Sequence, residues 1–516
     1  MAGDGAGALP EGGSELSSDL IVLAPLRLEA RAVVRGAPRL DVVRTGAGPT
    51  RAAATAGSLA GSRRPSAVAV AGVAGGLRPG LLPGTIVVAD RVLAEDGTVV
   101  AVLESAGIIA AELRGRGAPV TIGSIISTSK LVEGAGRRAD LAATGALAVD
   151  CETACLLGAP WGVPAAVVRV IADTPERELR SLATITGGVK ALKGLSAAAP
   201  VLYGWGRTIA TRRVLLAGPR SFCAGVERAV TTVERALERY GRPLYVRRQI
   251  VHNRHVVEDL EQRGAVFVQE LDEVPPGSTV VLSAHGVAPS VRREADARDL
   301  TLVDATCPLV AKVHREVRRF ADRGYQMVLI GHAGHDETEG TLGESDDISL
   351  VTTADDIDRL EIRDPEKVAY ITQTTLSPAD VAGIVSRLSE RYPKVVGPHA
   401  TDICYATQNR QDAVAAIAED CDLMLVVGSS NSSNAARLVE VSERAGCRAV
   451  LIEDETELRF EWLRFAGTVG VTAAASTPPH LVERVVMALR GVGAVSVETR
   501  TTRTENVNFP LPMEVR

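Results

Sequence analysis

SFCAGVERAV (residues 221–230), DATCPLVAKV (304–313) and DICYATQNRQ (402–411) decide how the second half of this chain is read. Their cysteines, Cys223, Cys307 and Cys404, stand about 84 and 97 residues apart, each close behind an apolar, strand-like run or its turn. Ligands of a local zinc knuckle come in close Cys-x-x-Cys pairs, so that arrangement is excluded. The spacing fits three loops from three similar units converging on one centre. Three thiolates without an evident fourth suggest an iron–sulfur cluster with one iron left open for chemistry, and so an enzyme. Any one of the three taken alone is equally a buried structural thiol. A helix start beside each favours the thiolate, through the helix dipole and the free N–H groups. Cys151, Cys155, Cys421 and Cys447 lie in helical or apolar contexts and read as small buried hydrophobes.

Outward from these segments, a strand beginning at Val214 opens an α/β region that runs almost to the C-terminus. Its strand-like runs, STVVLSAHGV, LTLVDATC, QMVLIGHAGH, KVAYITQTT, DLMLVVGSSNSS and GTVGVTAAAS, nearly all end in a polar or glycine-rich loop. In open parallel sheets ligands bind outside the carboxyl ends of the strands, so these loops are expected to share a site. The first half, from about Leu20 to Tyr203, alternates apolar runs such as LIVLAPL, SAVAVAGVAGG and PAAVVRVIAD with Ala-rich helical stretches such as RAAATAGSLAG. This is an α/β pattern with a largely buried sheet. The segment VLYGWGRTIATRR (201–213) breaks the periodicity with glycines and a basic cluster. The expected organisation is a disordered tail (1–18), a first domain (19–205), a linker (206–212) and a second domain (213–516).

At 516 residues the chain is too long for one core. Apolar residues make up 46% and aromatics 3%, as Val/Ile/Leu strands and Ala-rich helices would give. A formal net charge of −6 argues against a general nucleic-acid surface and leaves room for an anionic substrate in a locally polar pocket. Seven cysteines without close pairing suit a cytosolic protein. Residues 1–18 lack the basic start and apolar stretch of a signal peptide, and no apolar run is long enough to span a bilayer. A cytoplasmic protein with no membrane partner is expected.

The strand-end loops carry a second constellation. His252 lies in VHNRHVV, His285 in SAHGV, His335 with Glu337 in GHAGHDETEGT, and Thr374 with Thr375 in TQTTLS. Ser432, Ser433 and Asn434 lie in GSSNSSN, and Ser476 in TAAAS. A single histidine of this kind is more often structural, but donors on successive strand-end loops describe one polar pocket. Hydroxyls, amides, imidazoles and backbone N–H groups with little Lys or Arg suit a diphosphate. Glu337 is the one carboxylate of the set placed to move a proton; its alternative is a solvated loop charge.

These motifs, in this order from about Val214 to Val507, resemble the 4-hydroxy-3-methylbut-2-enyl diphosphate reductase (LytB) family. The resemblance implies a trefoil of three α/β subdomains around one [4Fe–4S] cluster per chain, with Cys223, Cys307 and Cys404 as ligands. The fourth iron would bind the substrate's terminal hydroxyl. Two electrons and two protons would remove that hydroxyl as water, giving isopentenyl and dimethylallyl diphosphates in the last step of the methylerythritol phosphate isoprenoid pathway. By the same matching Glu337 relays protons, with Thr374 and His335 orienting the hydroxyl. His252, His285, His335, Thr374, Thr375, Ser432, Ser433, Asn434 and Ser476 would contact the substrate and hold its diphosphate. Electrons would come from a ferredoxin or flavodoxin type donor. Two departures stand out. Ala474 occupies a glycine position, which is unfavourable if the backbone there needs positive φ. Asp336 replaces a commoner proline and is expected to matter little.

In the first half TGAGPTRAA, AVAGVAGGLRPGLLPGTIVVAD, AVDCETACLL and VVRVIADTPE appear in an order similar to the nucleoside phosphorylase and nucleosidase superfamily, over about Leu20 to Pro175. The resemblance implies that Glu152 binds ribose hydroxyls, that Asp173 protonates a purine and that Glu29 orients water or ribose. The loops Gly46–Gly48 and Gly72–Gly76 are either tight turns or anion sites. Thr85 stands where an aspartate is usual and Ala172 where a serine is usual. Two roles remain open for this domain: a nucleoside phosphorylase or hydrolase, as the main or a second activity, or a non-catalytic nucleoside sensor.

Overall fold

The computed structural model describes residues 19–175, 182–399 and 401–516. The tail expected over 1–18 lies outside them. The chain forms two compact units. One comprises the described residues up to Arg212 with Glu455–Phe465 and Val486–Val495; the other comprises Arg213–Asp454, Ala466–Val485 and Ser496–Arg516.

The first unit is a mixed eight-stranded sheet flanked by helices. Its centre is the strand Ala67–Gly76, which pairs in parallel with Leu20–Ala24 and Ala165–Asp173 and antiparallel, through Gly75 and Gly76, with Ala148–Asp150. Val68, Val70, Val167 and Ile171 are fully buried there, giving the near-continuous apolar runs of a sheet covered on both faces. The break expected over 201–213 is not a linker, because Leu182–Thr208 is one helix of 27 residues. Its glycines serve packing: a Cβ at Gly206 would lie 2.8 Å from the Leu20 side chain, and one at Gly204 would lie 3.2 Å from the Phe460 ring. The second domain expected over 213–516 likewise gives up two segments. Buried Trp205 donates from Nε1 to Gly491 O (2.8 Å), and buried Arg212 donates to Val492 O (2.9 Å) and Leu463 O (2.9 Å). These bonds satisfy buried donors that would otherwise be costly to leave unpaired.

The second unit has three separate sheets, as the expected trefoil requires. A four-stranded parallel sheet has the order Ala265–Val268, Leu244–Arg247, Thr279–Leu282, Thr301–Asp304. A three-stranded parallel sheet has the order Ile348–Val351, Gln326–Ile330, Val368–Thr372. A five-stranded sheet has the order Ala449–Ile452, Leu423–Val427, Thr468–Ala473, Arg212–Gly218, Val495–Thr501. Helices cover them with apolar stripes at helical spacing. Ala229, Val233 and Ala236 are buried on Ala224–Tyr240, and Val310, Val313, Val317 and Phe320 on Pro308–Asp322. Each such valine or phenylalanine removed from water is worth roughly 1.5–3 kcal/mol.

Candidate active site

The three cysteines come from the three sheets, and each is the N-cap of a long helix: Cys223 of Ala224–Tyr240, Cys307 of Pro308–Asp322 and Cys404 of Tyr405–Ala418. Each cap places its cysteine at a helix N-terminus, where unpaired N–H groups and the dipole favour a thiolate. Cys404 Sγ accepts from Thr407 N (3.3 Å) and lies 3.1 Å from Thr407 Oγ1. A Cβ at Gly225 would stand 2.6 Å from Cys307 Sγ and 3.8 Å from Cys223 Sγ, so the glycine keeps open the space the sulfurs share. Burial pushes the Cys307 thiol up to about 12, with Cys223 and Cys404 adding repulsion. Burial and Cys223 push Cys404 up to about 11. Three thiolates crowded in a dry space need a positive core to compensate them, so a metal centre fits this donor set. Cys447 and Cys421 pack in the core of the five-stranded sheet's subdomain, as expected of small hydrophobes.

The cysteine loops are tied to the polar loops through their own backbones. Cys307 N donates to Ala284 O (3.0 Å), beside His285; Cys223 N to Ala475 O (3.2 Å), beside Ser476; and Cys404 N to Thr374 O (3.0 Å). One cavity is lined by the three cysteines together with His252, His285, His335, Glu337, Thr374, Thr375, Ser432, Ser433, Asn434 and Ser476. Thus every pocket residue expected in the second half meets at one place. Among the described residues lining it there is no Lys or Arg. His252 and His285 stack at 4.1 Å between ring centroids, with His335 edge-on to both. Burial drives all three toward the neutral form: His252 and His285 lie below the usual range, and His335 falls to about 4, with His252 adding to its shift. His252 Nε2, Asn434 Nδ2 and Asn434 Oδ1 are buried without a hydrogen-bond partner. Ser432 caps the helix Ser433–Arg444 by accepting from Ala435 N (3.3 Å). Thr375 Oγ1 donates to Ser433 Oγ (3.0 Å), and Ser476 Oγ donates to His252 O (3.0 Å). Orphaned donors beside a helix N-terminus form a ready anion site.

Glu337 lines the same cavity as the sulfurs and this polar wall. It is buried, and its oxygens accept from Thr374 N (2.7 Å) and Thr374 Oγ1 (2.9 Å). Burial lifts its carboxyl to about 7, against those two hydrogen bonds and with the help of Asp402. It is therefore an acid poised near neutrality. Glu337 N donates to His335 Nδ1 (3.1 Å), which assigns the proton of a neutral His335 to Nε2.

Several participants were not foreseen. Val226, Leu309, Tyr405 and Phe509 give the cavity an apolar side; nothing in their local sequence marks them. Asp336, expected to matter little, accepts from Arg248 Nη1 (2.5 Å) and approaches His285 Nδ1 at 3.7 Å. Its departure from proline was the available signal. Ala474 needs no unusual backbone: the non-glycine residues with positive φ among the described residues are Ser221, Arg248 and Asp299.

In the first unit the expected carboxylates lie among charged partners, Glu29 and Asp173 buried and Glu152 half-buried. Glu29 accepts from Val73 N (2.8 Å) and Leu26 N (2.7 Å), and burial holds its carboxyl above the usual range despite Arg169. Arg169 pairs with Asp150 (2.5 Å) and donates to Thr153 Oγ1 (2.7 Å). Glu152 accepts from Gly48 N (2.8 Å). The N–H groups of Gly48 and Val73 thus serve the protein's own carboxylates. Asp173 is ion-paired with buried Arg138, which also donates to Gly76 O (2.9 Å).

Residues 214–490 match the model of a family described as LytB protein, and residues 36–187 match the phosphorylase superfamily. The 4-hydroxy-3-methylbut-2-enyl diphosphate reductase of Bordetella pertussis is 55% identical over 306 residues, 59% of this chain and 94% of that protein. That of Escherichia coli O1:K1 is 51% identical over 308 residues, 59% of this chain and 98% of that protein. The solved E-1-hydroxy-2-methyl-but-2-enyl-4-diphosphate reductase of Plasmodium falciparum is 37% identical, with a TM-score of 0.56 over 59% of this chain and 97% of that one.

Proposed function

The chain belongs to the LytB protein family, and from that premise we propose that its second unit is a 4-hydroxy-3-methylbut-2-enyl diphosphate reductase. The substrate's hydroxyl leaves as water when two electrons and two protons are supplied, and the allylic remainder becomes isopentenyl or dimethylallyl diphosphate. One observation carries the reading: three helix-capping cysteines, a buried acid and a wall of orphaned anion donors share one cavity. The family generally uses an iron–sulfur cluster. The finer assignment is one [4Fe–4S] cluster held by Cys223, Cys307 and Cys404, which when bound supplies the electrons and a Lewis-acidic iron.

The chain's own residues do the rest. His252, His285, Ser432, Ser433, Asn434 and Ser476 hold the diphosphate at the N-terminus of Ser433–Arg444. The apolar side made by Val226, Leu309 and Phe509 takes the five-carbon chain and excludes water. Glu337 delivers a proton to the departing hydroxyl, with Thr374 fixing both carboxyl oxygens and His335 Nε2–H orienting the same group. A ferredoxin or flavodoxin type protein donates the electrons. No described helix is long and apolar enough to cross a membrane, and the free thiols suit a reducing cytoplasm. The test is the iron and sulfide content of anaerobically prepared protein. About four of each per chain is expected, lost in Cys223→Ser, Cys307→Ser and Cys404→Ser and kept in Cys421→Ser. Colourless protein after reconstitution would reject the assignment.

For the first unit a nucleoside-binding role is favoured over cleavage, because Asp173, the residue matched to purine protonation, is engaged in a buried ion pair with Arg138. A panel of adenosine-type nucleosides, with and without phosphate, decides it. Saturable binding without base release supports the reading; base release that disappears in Asp173→Asn makes the unit an enzyme.

A further inference from the structure

Asp336 stands in the chain between His335 and Glu337, two residues that line the cavity, and its carboxylate is held by Arg248. Arg248 directly follows the strand Leu244–Arg247 and has a left-handed backbone (φ 54°), a conformation that disfavours any side chain with a Cβ. Its guanidinium donates to Asp336 Oδ1 (2.5 Å) and Glu339 Oε2 (2.6 Å) from Nη1, and to Glu270 Oε1 (2.9 Å) from Nη2. The other Asp336 oxygen lies 3.7 Å from His285 Nδ1, which is buried without a hydrogen-bond partner. Arg248 belongs to the four-stranded sheet's subdomain and Asp336 to that of the three-stranded sheet, so the pair also joins two subdomains at the pocket.

We propose that Asp336, anchored by Arg248, is a positioning residue that lets the stacked His252–His285 pair hold the diphosphate as a singly protonated unit. The proposal rests on the diphosphate reading of this cavity. With no Lys or Arg among the described lining residues, the imidazoles are the lining side chains able to take a positive charge. An anion entering a dry pocket recruits a proton to an imidazole, and a carboxylate on the ring's far nitrogen favours that uptake. With Nδ1–H of His285 turned to Asp336, Nε2–H is left for a phosphate oxygen. Two imidazoliums at 4.1 Å would repel, so the pair takes one proton. The groups facing the pair are Gln249, whose Oε1 lies 3.3 Å from His252 Nδ1, then His335, Asp336 and Arg248. The Asp336 charge opposes the effect of burial on both His252 and His335.

The experiment is calorimetric titration of inorganic pyrophosphate into full-length, cluster-loaded protein, in two buffers of different ionisation enthalpy and across pH. The unsubstituted protein should take up about one proton per pyrophosphate near pH ~7 and bind about tenfold more tightly for each unit the pH falls. Asp336→Asn and Asp336→Pro should lose most of that uptake and bind about tenfold more weakly, with cluster absorbance unchanged. Proline is tolerated at the first position of a helix, where Asp336 stands, so the second variant keeps the fold. Uptake and pH slope unchanged in both Asp336 variants, with pyrophosphate still bound, would overturn this proposal alone. No pyrophosphate binding by the unsubstituted protein would overturn the diphosphate reading, and this proposal with it.

Discussion

Gly225→Ala isolates the geometry of the sulfur centre from the stability of the fold. Gly225 is the second residue of the helix Ala224–Tyr240, and an added Cβ would stand 2.6 Å from Cys307 Sγ. Ordinary contact distances are about 3.5–4.0 Å, so the sulfur must retreat by about 1 Å. Metal–ligand distances tolerate only about 0.2 Å. The displacement is about five times that tolerance. The backbone effect has the opposite sign, since alanine in place of glycine favours a helix by roughly 0.5–1 kcal/mol. The expected result is therefore split: the metal-free variant folds and melts no lower than the unsubstituted protein, yet anaerobic preparation gives little iron and sulfide. Turnover should fall at least about a hundredfold. Gly383→Ala is the control, because a Cβ there meets nothing within 4 Å on the helix Pro378–Arg391. Full iron content and undiminished turnover in Gly225→Ala would refute the convergence of the three sulfurs.

Three further outcomes follow from the same structure. Glu337→Gln should keep the cluster and lose turnover by about 10²–10⁴-fold. Because burial lifts Glu337 to about 7, its acid form is present below that pH, and the rate should decline as pH rises through it; a flat profile in the unsubstituted protein would remove the residue from proton delivery. Thr374→Val deletes the hydroxyl donor 2.9 Å from Glu337, which favours the ionised form, so the falling limb should move up by about 1 pH unit while iron content holds. Arg138→Ala removes one partner of a buried ion pair with Asp173 and should destabilise the first unit by about 3–5 kcal/mol in denaturant unfolding; a change below about 1 kcal/mol would contradict the pair's burial.

The second half was legible because its chemistry sits where a parallel α/β chain must put it, on loops at the carboxyl ends of strands. Cys223, Cys307 and Cys404, the histidines, Glu337 and the Ser432–Asn434 loop could each be placed from a strand-like run followed by a polar turn. Contacts between distant segments left no such local mark. Gly204 and Gly206 look like helix breakers in sequence, yet they are points of close approach within a helix that reaches Thr208. The return of 455–465 and 486–495 to the first unit includes hydrogen bonds from Trp205 and Arg212 to carbonyls more than 250 residues away. The Arg248–Asp336 pair is likewise invisible to periodicity, because its partners sit on different sheets. In the first half the glycine loops were readable as places of close backbone approach. What approaches Gly48 and Val73, the carboxylates of Glu152 and Glu29, was not.

Single-turnover conversion of 4-hydroxy-3-methylbut-2-enyl diphosphate by the reduced, cluster-loaded full chain tests the central claim most directly. The expected result is a mixture of isopentenyl and dimethylallyl diphosphates, with about two electrons consumed per substrate, slowed by about 10²–10⁴-fold in Glu337→Gln without loss of iron. Substrate recovered unchanged from protein with a complete, reduced cluster would contradict the account.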